Sequence, residues 1–479
     1  MGADHDHYQN PLITRYASRE MGAIFGPRHR ARIWRELWIA LAESERELGL
    51  DISQAAIAAM RAHVDEIDME RIAEIEAEVR HDVMAHIHQF GEVAPAAKGV
   101  IHLGATSAFV TDNADLVQHK EALVLIRRRL LNVIAAFKEQ AVKYRDLPTI
   151  GYTHLQPAQP TTLGKRITLW IQDLLLDLEA LEFEVERLRF RGARGATGTE
   201  ASFNILFGRD EAKIERLNRM IAEKMGFAQL FGVSAQTYPR KVDAFLLGLL
   251  SGIAQSLSKL ANDIRLLQNF GELQEPFGES QVGSSAMPHK RNPMRCERIN
   301  ALARHVMVVA QDPVFTAASQ WLERTLDDSA NKRIAVPEAY LATDAILLIA
   351  HNVAAGLVVY PEIAARRLNE QMPYLAAEPL MIHAAKRGGD RQALHERIRR
   401  HAVAAAERVH RGEPNDMIDR LAEDGEIGVD RAELEGLLSP QAMVGRAPQQ
   451  VDRFVAQWVD PVLLKYEDEL EADSPRLSV

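Results

Sequence analysis

Apolar residues recur along the middle of the chain at the three- and four-residue steps that place side chains on one face of an α-helix. Between Asp243 and Phe270, residues Leu246, Leu250, Ile253, Leu257, Leu260, Ile264 and Leu267 alternate steps of four and three. That seam suits antiparallel bundle packing, and a continuous helix over it would be about 40 Å long at ~1.5 Å per residue. A second seam (Ile126, Leu130, Val133, Phe137, Tyr144) stops before Pro148. A third (Leu163, Ile167, Trp170, Leu174, Leu178, Leu181, Val185, Leu188) ends near Gly192, and a fourth lies between Pro337 and Gly356. Shorter helices are predicted around residues 32–48 and 67–90. Beyond Pro361 the helical pattern resumes with more charge, broken at Gly388, Gly389 and Gly445.

Seams of this length joined by short polar connections predict an all-α fold built on a long-helix bundle. A solenoid would need a repeat of roughly 30–50 residues, and none occurs. The pattern divides the chain into an N-terminal helical domain (1–106), the central bundle (107–360) and a C-terminal helical domain (361–479). The last of these ends in an acidic tail from Glu467 to Asp473 that is expected to fray. The apolar faces of the seams exceed what one chain can cover, which points to oligomer assembly.

Composition narrows the class. With 47% apolar, 26% charged and only 6% aromatic residues, the chain is that of a globular, helix-rich protein. A net charge of −10 argues against a nucleic-acid binder held by phosphate contacts. It leaves room for a small anionic substrate, because local clusters of Arg and Lys can outweigh distant charge. Cys296 is the single cysteine, so no intrachain disulfide can form. Its place invites a nucleophile reading, but a small buried residue of the following helix is expected. Residues 1–16 are polar, and the longest uncharged run, 244–258, is too short and too interrupted to span a bilayer. A cytoplasmic protein is expected.

Candidate chemistry is spread over five patches. In the first, Arg80-His81-Asp82 is followed by His86, four residues after Asp82. On a helix, Asp82 and His86 share a face and could chelate a metal, although no third ligand is apparent and a surface polar cluster explains them as well. The second, His102 to Ser107, sets Thr106 and Ser107 ahead of a helix. They could present hydroxyls and amides to a carboxylate or merely cap the helix, and local physics does not separate the two. The third, Gly151 to Pro160, holds His154 among turn formers, where it could serve as an acid or base or be structural. The fourth, Glu323 to Arg333, carries Arg324 and Arg333, whose forked donors grip carboxylate or phosphate, unless the run is a solvated helix face. The fifth is Gly283-Ser284-Ser285-Ala286-Met287-Pro288-His289-Lys290-Arg291-Asn292-Pro293, too rich in reactive side chains for plain connection. Gly283 is expected there for backbone angles closed to other residues. No Gly-x-Ser-x-Gly elbow, phosphate-cradling Gly-rich loop or His-Glu-x-x-His occurs, and Gly195 to Thr199 reads as a turn.

The fifth patch resembles the stamp of the fumarase/aspartase superfamily, with Gly-Ser-Ser, Met-Pro, Lys290 and Asn292-Pro293 in register. Ala286 and the Lys290-to-Arg295 run are similar to its adenylosuccinate-cleaving branch. So are Arg15-Tyr16-Ala17-Ser18, Arg80 to His86, Thr153 to Gln159, and Arg324 to Asn331. The resemblance runs from about Arg15 to Tyr466. It implies three helical domains, a homotetramer with active sites where three subunits meet, and no cofactor or metal. It also implies anti elimination of fumarate in purine biosynthesis, from adenylosuccinate to give AMP and from the succinyl-aminoimidazole-carboxamide ribotide to give its amide.

Carried over residue by residue, the resemblance makes Ser284 the base and His154 the acid towards the departing nitrogen. An ordinary serine is a poor base at neutral pH, so the loop must stabilise its alkoxide, with nearby amides and Lys290 as candidates. Thr106 and Ser107 would meet charge growing on the substrate carboxylate. Arg80, His81 and Asp82 would border the nucleotide, with Arg80 and His81 facing its phosphate. Arg15, Tyr16, Arg324, Ser329 and Arg333 would hold phosphate and carboxylates, while Gln236 and Arg298 complete the shell. His289 stands where some relatives carry Tyr, and nothing assigns it a role. The nearest rival is another fumarate-releasing lyase, such as one cleaving argininosuccinate, against which Ala286 and the Arg324 region speak. A non-catalytic structural role is opposed by the presence of both Ser284 and His154.

Overall fold

A computed structural model describes residues 6–278, 281–471, 475 and 477. The chain is 68% helical, as the seams require. Eight helices position the site: α1 (Pro27–Glu47), α2 (Met69–Val79), α3 (Asp82–Val93), α4 (Ser107–Lys143), α5 (Leu163–Arg187), α6 (Lys241–Asn269), α7 (Met294–Val309) and α8 (Asp328–Ala355). The seven seam residues of α6 are all buried, as are Ile126, Leu130, Val133 and Phe137 of α4 and the run from Leu163 to Leu181 of α5. These helices share one continuous apolar core with α1 and α8. Two of them, α6 and α8, have the length and hydropathy of a membrane span. Half of that stretch in α6 and 78% in α8 is buried inside the bundle, the place a core helix takes.

The structure corrects four expectations. The 67–90 pattern is broken at Arg80, which closes α2 in the left-handed conformation (φ 54°), and His81 then caps α3. The fourth seam begins at Asp328 rather than Pro337, which lies inside α8. Burial of Val336, Ala339 and Tyr340 around that proline outweighs the hydrogen bond it deletes. The 151–160 stretch is a β-hairpin: β1 (Pro148–Thr153) pairs antiparallel with β2 (Gln156–Thr162), with an irregular register between Ile150 and Tyr152. The acidic tail is docked over its described part, because adjacent arginines on α4 offer it partners. Glu469 pairs with Arg127 and Glu471 with Arg129, each at 2.5 Å. Ala472 and Asp473 lie outside the described residues.

Two features of the packing carry consequences. On α5, Leu169, Leu176 and Phe183 recur every seven residues and stand about half exposed, joined by Phe245 and Leu266 of α6. A seven-residue recurrence of apolar side chains is the spacing by which one helix packs along another. The second feature is Glu45 of α1. It is fully buried, neither carboxylate oxygen has a hydrogen-bond partner among the described residues, and burial pushes its pKa up to about 9. The folded protein therefore holds Glu45 protonated while the unfolded chain ionises above its ordinary value. This costs stability progressively as pH rises from about 4.5 towards 9. Glu45→Gln is expected to stabilise the fold by on the order of 3 kcal/mol near pH 7, because keeping a carboxyl neutral costs about 1.36 kcal/mol for every pH unit above its ordinary pKa. The gain should shrink towards pH 5. Thermal midpoints of both proteins at pH 5 and pH 8 decide it, and parallel pH profiles would rule the account out.

Candidate active site

A cleft of about 320 Å³ opens where α3, α4 and α8 converge. It is lined by residues from five separated regions of the sequence, including Arg30, His81, Asp82, Ser107, Gln236, Arg324, Ser329 and Arg333. The chain break at Arg80 places His81 at the mouth: its Nδ1 accepts from the Met84 amide (3.4 Å) and its Nε2 lies 3.4 Å from Ser107 Oγ. Thr106, the N-cap of α4, makes no capping hydrogen bond, so its hydroxyl is not spent on the helix. Gln236 donates to the Ala196 carbonyl. On the far wall, Ser329 sits in the first turn of α8, whose N-terminal amides and dipole favour an anion. Arg333 extends from the next turn, with Nη2 3.4 Å from Asp82 Oδ2 and more than half its side chain exposed.

The floor is a buried set of charges that the sequence reading did not single out. Asp115 takes Lys332 Nζ at 2.5 Å and Arg30 Nη2 at 3.1 Å. Burial pushes the Asp115 carboxyl up, but Lys332 and Arg30 outweigh it and hold it well below the usual range. Arg240 bridges Asp112 (2.7 Å) and Asp328 (2.5 Å), and Asp328 also takes Arg324 Nη1 at 2.7 Å. Asp328 likewise stays ionised: burial alone would raise its pKa, and Arg240 and Arg324 reverse that. Deeper still, His119 bridges Asp243 (3.1 Å) and the Tyr340 hydroxyl (3.0 Å), while the Tyr238 hydroxyl donates to Asp243. Four carboxylates (Asp82, Asp112, Asp115, Asp328) thus face five cations (Arg30, Arg240, Arg324, Lys332, Arg333), an excess of one positive charge before the helix dipole is added. Asp112, Asp115 and His119 occupy one face of the first turns of α4, all three buried or nearly so. Polar side chains at core positions were the signal available in the sequence.

The other candidates lie outside this cleft. His154 and Leu155 form the two-residue tip of the hairpin, both left-handed (φ 52° and 57°). A turn with positive φ at both positions normally takes Asn-Gly, so holding histidine and leucine there stores strain, a mark of functional sites. The hairpin base is fixed from beneath: Thr149 Oγ1 donates to Glu272 (2.8 Å), and Arg367 joins Glu272 to the Tyr152 hydroxyl. Ser284 Oγ accepts from the amides of Ala286 (3.3 Å) and Met287 (3.1 Å). The loop is closed by Asn292 Nδ2 donating to the Gly283 carbonyl at 2.7 Å. Gly283 does not have the positive φ expected of it; it is required because a Cβ would overlap the Lys290 carbonyl oxygen. Lys290 is exposed on this loop. Tyr16 ends a short π-helix after exposed Arg15, with the Arg298 guanidinium 5.7 Å from its ring. Arg80, Thr106, Arg15, Tyr16, Arg298, Lys290, His154 and Ser284 do not line the cleft of the single chain.

Two residues raised as alternatives have settled places. His86 packs edge-on against Trp34 at 4.8 Å, and burial lowers its pKa to about 4. Cys296 is buried, its thiol pushed up by burial and by Glu275, so the thiolate a nucleophile needs is disfavoured.

A family model described as lyase matches residues 17–308, and one described as adenylosuccinate lyase C-terminus matches residues 373–454. The chain is 48% identical to the adenylosuccinate lyase of Saccharomyces cerevisiae, covering 99% of this chain and 100% of the yeast protein. It is 45% identical to that of Schistosoma mansoni, covering 98% and 99%. Its fold superposes on a 3-carboxy-cis,cis-muconate lactonizing enzyme from Pseudomonas putida with a TM-score of 0.80 at 26% identity, covering 93% and 98%. A fumarate lyase from Mesorhizobium matches equally (TM-score 0.80, 26% identity), covering 94% and 100%. The two solved structures carry different reaction names on one fold, so architecture alone does not choose the chemistry.

Proposed function

The chain belongs to the adenylosuccinate lyase family, and from that premise we propose how its own residues divide the work. It is a carbon–nitrogen lyase of purine biosynthesis that eliminates fumarate from adenylosuccinate, leaving AMP, and from the corresponding succinyl-carboxamide ribotide. The observation that carries the assignment of the cleft is the convergence of His81, Ser107, Gln236, Arg324, Ser329 and Arg333 on one cavity with surplus positive charge and a helix N-terminus. Such a cavity fits a nucleotide phosphate or a substrate carboxylate.

Ser284 is the base that removes the proton from the carbon next to the succinyl carboxylate. Its alkoxide is stabilised by the Ala286 and Met287 amides, which already point at Oγ in the resting loop. As the C–N bond breaks, His154 supplies the proton to the departing nitrogen. The electron pair left on carbon becomes the new double bond of fumarate. Lys290, Thr106 and Ser107 stabilise charge that builds on the carboxylate in between. Arg15, Tyr16, Arg80, Asp82 and Arg298 complete the binding shell. An anti elimination needs base and acid on opposite sides of the substrate, which separate structural elements supply.

We also propose that the protein works as a homotetramer in which three subunits build each site. Two observations support this: His154 and Ser284 lie outside the cleft of their own chain, and α5 carries a half-exposed heptad stripe flanked by exposed apolar residues of α6. A three-part division at about residues 106 and 360, and a cytoplasmic location, belong to the same proposal. The boundary near 360 is supported by the separate apolar core of Leu380, Leu394, Ile398, Met417, Leu421 and Leu434, while the main core runs continuously across residue 106.

The test is fumarate release by the purified protein, supplied in turn with adenylosuccinate, argininosuccinate and malate. Release from adenylosuccinate alone is expected. Release from either of the others in its place would keep the elimination and move the substrate assignment.

A further inference from the structure

We infer that Arg240 and Asp328 are positioning residues that fix Arg324 in the cleft through a buried chain of charge pairs. The inference rests on the reading of Arg324 as an anion contact and adds what holds it in place. Arg324 lies in the 320–327 segment, which has no helix or strand of its own and includes Leu322 with a positive φ of 45°. Trp321, Leu322 and Leu326 of that segment are largely exposed, so local packing does not hold it. A guanidinium on such a segment would sample many positions unless it were tied from elsewhere.

The ties come from residues 236–240, and there are two. The Gln236 amide donates to the Glu323 carbonyl at 3.2 Å. Four residues on, Arg240 donates through Nε to Asp328 Oδ2 at 2.5 Å. Asp328 then meets Arg324 Nη1 with both oxygens, at 2.7 and 2.8 Å. Both contacts fall on one nitrogen, so the remaining donors of Arg324 are not spent on Asp328. Arg240 is anchored in turn by Asp112 at 2.7 Å and by the Tyr238 ring, 4.4 Å from its guanidinium. The side chains of Arg240, Asp112 and Asp328 are all at least 96% buried. Asp328 is also the first residue of α8, so the same carboxylate registers Arg324 against the helix turn that carries Ser329.

Stability alone is a weak reason for this arrangement. Removing three charges from water is expensive, and apolar residues of the same volume hold a fold equally well. The planar Arg240 guanidinium, with a directed Nε bond to Asp328 and an ion pair to Asp112, supplies direction, which an apolar contact cannot. Lys332 does not substitute for Arg240, because its ammonium is already bound to Asp115.

The experiment uses the full chain and adenylosuccinate as the probe, with Arg240→Met, Arg240→Lys, Arg324→Ala and the Arg240→Met/Arg324→Ala double variant. Circular dichroism and size measurement confirm that each is folded and assembled. Loss of one bond to a charged group corresponds to roughly tenfold to hundredfold in binding. Arg240→Met is therefore expected to raise KM by that factor while kcat changes by less than about threefold. Arg240→Lys, which keeps the charge and loses the fork, should fall between, and it supplies the readout if the methionine variant does not fold. In the double variant the effect should be close to that of Arg324→Ala alone, because both act through one contact. KM effects that multiply, or an Arg240 variant with unchanged KM beside a raised KM in Arg324→Ala, would overturn the inference. An unchanged KM in Arg324→Ala would instead remove the anion-contact reading itself.

Discussion

Ser284→Ala is expected to abolish fumarate release from adenylosuccinate, by at least the roughly hundredfold to ten-thousandfold that a positioned acid or base contributes. The loss should appear in kcat, because Ser284 acts on the reacting carbon and the anion-binding residues of the cleft remain in place. The substitution removes the oxygen that accepts from the exposed Ala286 and Met287 amides, which water can satisfy instead, and leaves the bonds that close the loop. Asn292 still reaches the Gly283 carbonyl, and the Lys290 amide still bonds the Met287 carbonyl. Assembly and thermal midpoint should therefore match the wild type. His154→Ala is expected to lose turnover on the same scale. His154→Asn is the sharper companion, because asparagine accepts the left-handed conformation of the hairpin tip while lacking a titratable nitrogen. The readout is the rise of fumarate absorbance under saturating substrate. Normal kcat in either position's variants would remove that residue from the mechanism.

Mixing those two inactive proteins is expected to restore activity, the second large effect. If base and acid reach one site from different subunits, some sites of a mixed tetramer receive an intact Ser284 from one chain and an intact His154 from another. With equal mixing and random exchange this holds for about a quarter of the sites, by the symmetry of the assembly. The physical ground is that neither residue lines the cleft built by its own chain, although that cleft gathers seven other candidates. The mixture should be taken through partial dissociation and reassembly, with exchange shown by differently tagged chains. No recovery after demonstrated exchange would place Ser284 and His154 of each site on one chain.

Much of the local architecture could be read from spacing. The α6 seam runs unbroken from Leu246 to Leu267 and every position in it is buried, since burial of one face is what a 4-3 alternation encodes. The hairpin was missed because β2 (Gln-Pro-Ala-Gln-Pro-Thr-Thr) holds two prolines and no alternation of apolar residues. Its pairing is secured from outside, by Glu272 and Arg367, which are distant in sequence, and by Arg166 of the following helix. The break at Arg80 was missed for a related reason: arginine carries no propensity for a left-handed residue, and φ 54° there is imposed by the joining of α2 to α3. Patches with recognisable side chains were found one by one, whereas their partners on the cleft floor were not.

By itself the sequence determined the helical class, the long seams and the identity of the reactive side chains, because periodicity and residue chemistry are local properties. It did not determine which of those side chains meet. His81, Gln236 and Arg324 come from three regions of the chain and converge only when α3, α4 and α8 pack. The ionisation of Asp115 and Asp328, and the neutrality of Glu45, were likewise decided by folding. Each depends on whether a counter-charge reaches a buried carboxylate, and that is a property of three-dimensional neighbours alone.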